Sequence, residues 1–206
     1  MPINKLLSVI LFDLGRVILP FDIHVAASKF AKQSRISSEE IVRKIMGTPL
    51  DRAFEEGKVL PEEFYQEVKQ RTGLNMAYDH FVAIWNDIFN ENRKVSAIAR
   101  QLKRKYAIAI ISNTNILHFS FVYQKFSIVR EVGHFILSYQ VGVRKPDPKI
   151  YQVALEQFHA RPQQVLYIDD REDFIVAGRE LGLHGIHFKG EEQLEAELLT
   201  LNLLTS

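Results

Sequence analysis

Asp13, Ser112, Lys145 and the pair Asp169-Asp170 are the residues of this 206-residue chain whose types and settings suit chemistry. Each acid or hydroxyl follows a short apolar run. Val9-Ile10-Leu11-Phe12 precedes Asp13, Ala107-Ile108-Ala109-Ile110-Ile111 precedes Ser112-Asn113, and Val165-Leu166-Tyr167-Ile168 precedes Asp169-Asp170. Runs of this length suit buried strands of a parallel sheet. Polar groups at their ends then lie along the carboxyl edge, where open α/β sheets bind ligands. Alone, Asp13 reads as readily as an acid that ends a strand and caps a turn. Its company favours the other reading, because three polar tips and Lys145 in the loop Arg144-Lys145-Pro146 can converge on one ligand. A carboxylate can attack a phosphoryl group and form an aspartyl-phosphate. Clustered carboxylates repel one another unless a cation lies between them, and Mg²⁺ prefers oxygen ligands in octahedral geometry. A lysine and a hydroxyl would neutralise and orient the remaining phosphoryl oxygens. Gly15, just past Asp13, permits a sharp turn or a close approach of backbone to ligand.

The chain must position these tips with strands that alternate with helices. Beyond the three runs above, short strands are expected at Phe135–Leu137 and Gly185–Phe188. Helices are expected at Val95–Lys105 and Ile150–Phe158, between Asp170 and Gly182, and as a closing amphipathic segment Glu191–Leu204. This alternation implies βαβ units, right-handed crossovers and a parallel sheet. Between the first two strands the pattern is helical throughout. Ser37 with Glu40 forms a capping box, Leu50 and Phe54 mark a short segment stopped by Gly57, and Pro61 opens the next at a first-turn position. Phe81, Ile84, Trp85, Ile88 and Phe89 stripe a further helix. The region reads as a small helical bundle inserted after the first strand.

Composition narrows the class. With 26 basic and 25 acidic residues the formal net charge is +1, which gives no electrostatic case for nucleic acid or an anionic membrane. There are no cysteines, which excludes disulfides, thiolate metal sites and cysteine nucleophiles and fits a reducing, cytoplasmic setting. The apolar stretch Leu6–Phe12 is too short for a membrane span, and no small-residue cleavage pattern follows Asp13.

The segments Phe12-Asp13-Leu14-Gly15-Arg16-Val17-Ile18, Ile111-Ser112-Asn113-Thr114-Asn115, Arg144-Lys145-Pro146 and Ile168-Asp169-Asp170 together resemble the haloacid dehalogenase superfamily, in its order and spacings. The branch most similar is that of small bacterial phosphatases acting on sugar phosphates such as α-D-glucose 1-phosphate. The resemblance implies an α/β Rossmann-like core made of 1–19 and 95–206, with a small α-helical cap at 20–94. It implies that Asp13 is the nucleophile, and that Asp13, the Gly15 backbone carbonyl and Asp170 hold Mg²⁺. Ser112 and Lys145 would bind and steady the phosphoryl group, with Asn113 beside Ser112 also contacting the substrate. Asp169 and Asp173 would support the metal and the lysine from behind. Two positions depart from the wider pattern. Gly15 stands where most phosphatases of the superfamily carry a second Asp as general acid, although the glucose-1-phosphate branch resembles this chain in having Gly. Phe174 stands where relatives usually have Asn or Asp.

Other features read as structural. His184 and His187 fall on opposite faces of a strand, which argues against zinc. Trp85 and the phenylalanines of the inserted bundle read as its core, and Lys103-Arg104-Lys105 as a solvated helix end. Arg16 follows Gly15 at the site edge and suits contact with phosphate. Glu55 and Glu56 are expected to face solvent. The reading is a Mg²⁺-dependent phosphomonoester hydrolase acting on a small phosphorylated metabolite, monomeric or weakly dimeric, with no nucleic-acid or membrane partner. Its alternatives are a non-catalytic phosphate-ligand sensor, favoured by Gly15 and Phe174, and a 2-haloacid dehalogenase, in which the Asp169-Asp170 pair would have little purpose.

Overall fold

Five strands form one parallel sheet in the computed structural model, which describes residues 5–204. They are β1 (Val9–Phe12), β2 (Ala107–Ser112), β3 (Phe135–Leu137), β4 (Val165–Asp169) and β5 (His184–His187), in the spatial order β3-β2-β1-β4-β5. The outer limits of the expected division, residues 1 and 206, lie outside the described residues. Every residue of β1 is buried, as the central strand of a sheet covered on both faces requires. Alternation then divides the core. Ile10, Phe12, Ile108, Ile110, Leu166 and Ile168 pack on one side with α6 (Arg93–Leu102), α8 (Ser127–Val132) and α12 (Glu191–Thr200). Val9, Leu11, Ala109, Ile111, Val165 and Tyr167 pack on the other with α10 (Pro148–Gln157) and α11 (Glu172–Glu180).

The crossover from β1 to β2 carries α1 (Ile23–Ala31), α2 (Ser38–Ile45), α3 (Pro49–Glu55), α4 (Pro61–Thr72) and α5 (Tyr78–Asn86) before α6. Local chemistry sets their ends. Ser37 Oγ accepts from Glu40 N, Thr48 caps a helix that opens on Pro49, and Gly73 closes α4 at φ +66°. These helices share their own apolar cluster, built on stacked aromatics. Phe54 and Phe64 lie 4.2 Å apart between ring centroids, and Phe81 and Trp85 5.8 Å. Burying each such side chain contributes ~1.5–3 kcal/mol, so the bundle has a core independent of the sheet.

Backbone pairing, aromatic stacking and a helix-end contact are among the links between bundle and sheet. The segments around Pro20 and Asn90 run antiparallel, with Asp22 N donating to Ile88 O (3.2 Å) and Asn90 N to Pro20 O (2.8 Å). His118, on α7 (Ile116–Lys125), stacks on Trp85 at 5.0 Å. The end of α3 rests on the one-turn helix α9 (Ser138–Val141), where Ser138 Oγ donates to Glu55 O at 2.6 Å. Gly57 passes closely there, at φ +68° and with no room for a side chain against the Tyr139 carbonyl.

The helices α7, α8 and α9 were not anticipated between β2 and the Lys145 loop. The run Ser112–Asn115 reads as one polar tip, yet Asn115 is the N-cap of α7 and accepts from His118 N at 3.0 Å. Helix α10 begins at Pro148 rather than Ile150, because Asp147 caps it and Pro148 takes its first turn. Among the described residues no helix is long and apolar enough to cross a membrane.

Candidate active site

Register levels the tips. Phe12 is paired with Ile110 on β2 and Ile168 on β4, and Asp13 N donates to Ile168 O at 2.8 Å. Asp13, Ser112 and Asp169 are therefore brought to one edge, and all three are buried. A cavity of about 250 Å³ opens there, lined by Asp13, Gly15, Ser112, Asn113, Lys145 and Asp170, with Phe21, Glu55 and Arg144 reaching in from the seam with the bundle.

Lys145 is the hub. Its Nζ donates to Asp13 Oδ1 (2.7 Å), Asp169 Oδ2 (2.6 Å) and the Ile111 carbonyl (3.0 Å). An ammonium has three hydrogens, so these partners saturate it. Burial works against its charge, but the Asp13 and Asp169 carboxylates outweigh that and raise its pKa. The backbone of Lys145 is fixed by Asn113, whose Oδ1 accepts from Lys145 N (2.7 Å) and whose Nδ2 donates to Lys145 O (3.0 Å). Asn113, expected to contact a ligand, is thus engaged in holding the lysine loop. Ser112 Oγ makes only a long 3.4 Å contact with the Asn113 carbonyl and lines the cavity.

Asp169 sits beneath the site. Its carboxylate accepts from Lys145, from Tyr167 OH and from Arg171 N. Asp13, Asp169 and Asp170 are the one group of side chains among the described residues close enough together to share a metal ion, each offering an oxygen within 4.8 Å of the others. Three carboxylates face one buried lysine, with the exposed Arg16 4.0 Å from Asp170 beside them. Burial first, then the charges of Asp169 and Asp170, push Asp13 up to about 7 against the lowering effect of Lys145. Burial and Asp169 likewise raise Asp170. Such an excess of oxygen anions fits a hard divalent cation such as Mg²⁺, which Asp13 and Asp170 would hold while Asp169 is engaged by Lys145.

Other expected residues lie elsewhere. Asp173 pairs with Arg171 at 2.7 Å, with its side chain 52% exposed and outside the cavity lining, so it does not stand behind the metal residues. Phe174 instead forms a wall, its ring centroid 5.2 Å from Lys145 Nζ and 4.2 Å from Arg171 Cζ. Arg16 adopts a left-handed φ of 59° at the rim, 65% exposed, over the Phe21 ring and 4.0 Å from Asp170. His187 Nε2 meets the Asp170 carbonyl at 3.0 Å, a backbone contact at the edge of the site.

Glu55 corrects the expectation of a solvent-facing acid. Its side chain is 17% exposed and lines the cavity, whereas Glu56 pairs with Lys58. Glu55 Oε2 lies 2.6 Å from Arg144 Nε, but the approach is not aligned as a hydrogen bond, and both atoms are buried without a hydrogen-bond partner among the described residues. Burial first, then the Asp51 charge, raise Glu55 to about 7 despite Arg144. The sequence carried one signal of this. Asp51 and Glu55 stand at i and i+4 beside the buried pair Leu50 and Phe54, so both acids flank the helix's apolar stripe. A smaller adjoining space of about 60 Å³ is lined by Asp51, Glu55, Phe21, Trp85, Asn115 and His118 among others.

Comparison with known proteins gives a consistent pattern. Residues 8–182 match the family model of haloacid dehalogenase-like hydrolases. The chain is 30% identical over 181 residues to a D-ribitol-5-phosphate phosphatase of Bacteroides thetaiotaomicron, covering 84% of this chain and 87% of that protein. It is 26% identical over 212 residues to a glyceraldehyde 3-phosphate phosphatase of Pyrococcus furiosus, covering 93% and 85%. A crystal structure of a Bacteroides thetaiotaomicron enzyme of the same family, a magnesium complex, superposes with a TM-score of 0.78 at 26% identity, covering 90% of this chain and 94% of that one.

Proposed function

The chain belongs to the haloacid dehalogenase-like hydrolase family, and on that premise we propose that it hydrolyses phosphomonoesters of small metabolites through an aspartyl-phosphate on Asp13. The observation that carries this reading is the buried triad of Asp13, Lys145 and Asp169 at the floor of the cavity. Lys145 engages Asp13 Oδ1, which leaves Oδ2 as the oxygen that attacks phosphorus. The ammonium favours the anionic form of Asp13 against its burial and orients it, and Asp169 and Asn113 keep the ammonium in place. Ser112 Oγ donates to a phosphoryl oxygen. Mg²⁺, when bound by Asp13, the Gly15 carbonyl and Asp170, supplies charge neutralisation for the phosphoryl group. Water then releases phosphate from Asp13. The 26%-identical magnesium complex supports this choice of cation.

For the substrate, we take phosphate esters of small polyols and sugars, the class named by the ribitol and glyceraldehyde phosphatases to which the chain is similar. Both names describe phosphate on a primary alcohol. We place such esters ahead of the anomeric glucose 1-phosphate. A panel of ribitol 5-phosphate, glyceraldehyde 3-phosphate, glucose 1-phosphate and an aryl phosphate, assayed for released phosphate with Mg²⁺ and with EDTA, tests both parts. Metal-dependent release fastest from the primary esters is expected. Release unaffected by EDTA overturns the metal assignment, and no release from any ester overturns the phosphatase reading in favour of a phosphate sensor.

A further inference from the structure

Breaking a P–O bond to an alkyl alcohol leaves an alkoxide unless a proton arrives with it. The groups lining the 250 Å³ cavity are Asp13, Gly15, Arg16, Phe21, Glu55, Ser112, Asn113, Arg144, Lys145, Asp170, Arg171 and Phe174, and most cannot supply that proton. Gly15 has no side chain. Arginines do not deprotonate near neutrality. Lys145 is saturated by Asp13, Asp169 and a carbonyl. Ser112 and Asn113 are too weakly acidic, and Asp13 is the attacking group. Asp170 would be taken up in holding the cation. One titratable side chain is left.

We propose that Glu55, brought to the cavity by α3 and steadied by Arg144, is the general acid that protonates the leaving-group oxygen. This rests on the phosphatase reading and assigns it a residue. Placement supports the role. The end of α3 is fixed by Ser138 Oγ on the Glu55 carbonyl and by the close passage of Gly57 over Tyr139, so the carboxyl hangs from a docked element. Its Oε2 is buried against the Arg144 guanidinium at 2.6 Å, and the carboxyl lines the cavity beside Ser112 and Lys145. Asp51 on the same helix and Arg144 and Lys145 on the facing loop are the charged groups that bear on it. With burial their balance raises the acid to about 7, which brings its protonated form within reach near neutral pH. The alternatives in the adjoining space do not serve. Asp51 Oδ2 accepts from Gly47 N at 2.8 Å, and burial lowers His118 to about 4, which keeps it neutral.

The chemistry balances. As Asp13 Oδ2 forms its bond to phosphorus, the bond to the alcohol oxygen breaks and the Glu55 carboxyl proton passes to that oxygen, releasing the free alcohol. The Glu55 carboxylate then takes a proton from the water that attacks the aspartyl-phosphate, restoring both acids and releasing phosphate. Arg144 touches neither reacting atom and acts as a positioning residue.

Glu55→Gln keeps the shape and removes the proton. It should lower kcat on glycerol phosphate by ~10²–10⁴-fold while lowering hydrolysis of p-nitrophenyl phosphate far less, because the nitrophenolate leaves without help. The alkyl rate of the wild type should fall as pH rises through about 7, and that limb should vanish in the variant. A variant that slows both esters by the same factor, or slows glycerol phosphate by less than about tenfold, overturns the assignment. A wild type that hydrolyses neither ester overturns the phosphatase reading itself, an outcome the aryl ester separates from a missing acid.

Discussion

The ring of Phe21 stands where a side chain on residue 15 would project. A Cβ at position 15 would lie 2.9 Å from Phe21 Cε1 and 3.8 Å from Asp13 Oδ2. Phe21 is held in turn by Phe89, at 5.8 Å between centroids, and carries Arg16 on its face. Residue 15 is therefore glycine because of its neighbour and not because of its backbone, since its φ is not left-handed.

Gly15→Ala should then cost ~1–3 kcal/mol of stability by overpacking, and Phe21→Ala should relieve most of that cost. Denaturant midpoints of the two single variants and the double variant give the coupling. Equal cost of Gly15→Ala with and without Phe21 would show that the ring is not what excludes a side chain.

Lys145 is the ammonium of a buried cluster, and removing it strands two carboxylates. Lys145→Met should destabilise the fold by ~3–5 kcal/mol, as breaking buried pairs does, and should abolish turnover. Adding Asp13→Asn should return part of the lost stability, because one of the stranded charges goes. Urea titration of the three variants checks this. A Lys145→Met protein as stable as wild type would mean that the ion pairs are not formed in solution.

Acid should open the seam at His118. Burial holds the ring near pH 4, below its ordinary 6.5. The unfolded chain therefore binds a proton in that window that the folded chain refuses, and the stability from this group is lost as pH falls from 6.5 towards 4. His118→Phe keeps the stack on Trp85 but has no such proton to take up. Its stability should fall less than that of wild type over that window, as read by the fluorescence of the chain's single tryptophan during denaturant unfolding. Parallel curves for the two proteins would contradict a neutral, buried His118.

What the sequence could and could not disclose follows from how each residue is placed. The strands are legible because runs such as Val9–Phe12 are buried on both faces, and their tips follow from the parallel register. Capping at Ser37 and Gly73 is likewise local chemistry. Glu55 was hidden because its exposure depends on where α3 docks, through Ser138, a residue 83 positions away along the chain. Asn113 lines the cavity as its place at a strand tip suggests, but its pairing with a loop 32 residues on has no local signal. Asp173 follows the candidate metal residues by only three positions, but one helical step turns it towards Arg171 and solvent while Phe174 faces in. Local pattern reports secondary structure and face. It does not report which polar side chain meets which.

Covalent hydrolysis requires Asp13 as the nucleophile that bonds phosphorus, and one measurement addresses it directly. Asp13→Asn preserves shape, so the variant should fold as wild type does by circular dichroism and should lose essentially all Mg²⁺-dependent hydrolysis of an aryl phosphate, a substrate that needs no leaving-group proton. An Asp13→Asn protein retaining more than about a tenth of wild-type turnover would contradict the covalent route through this residue.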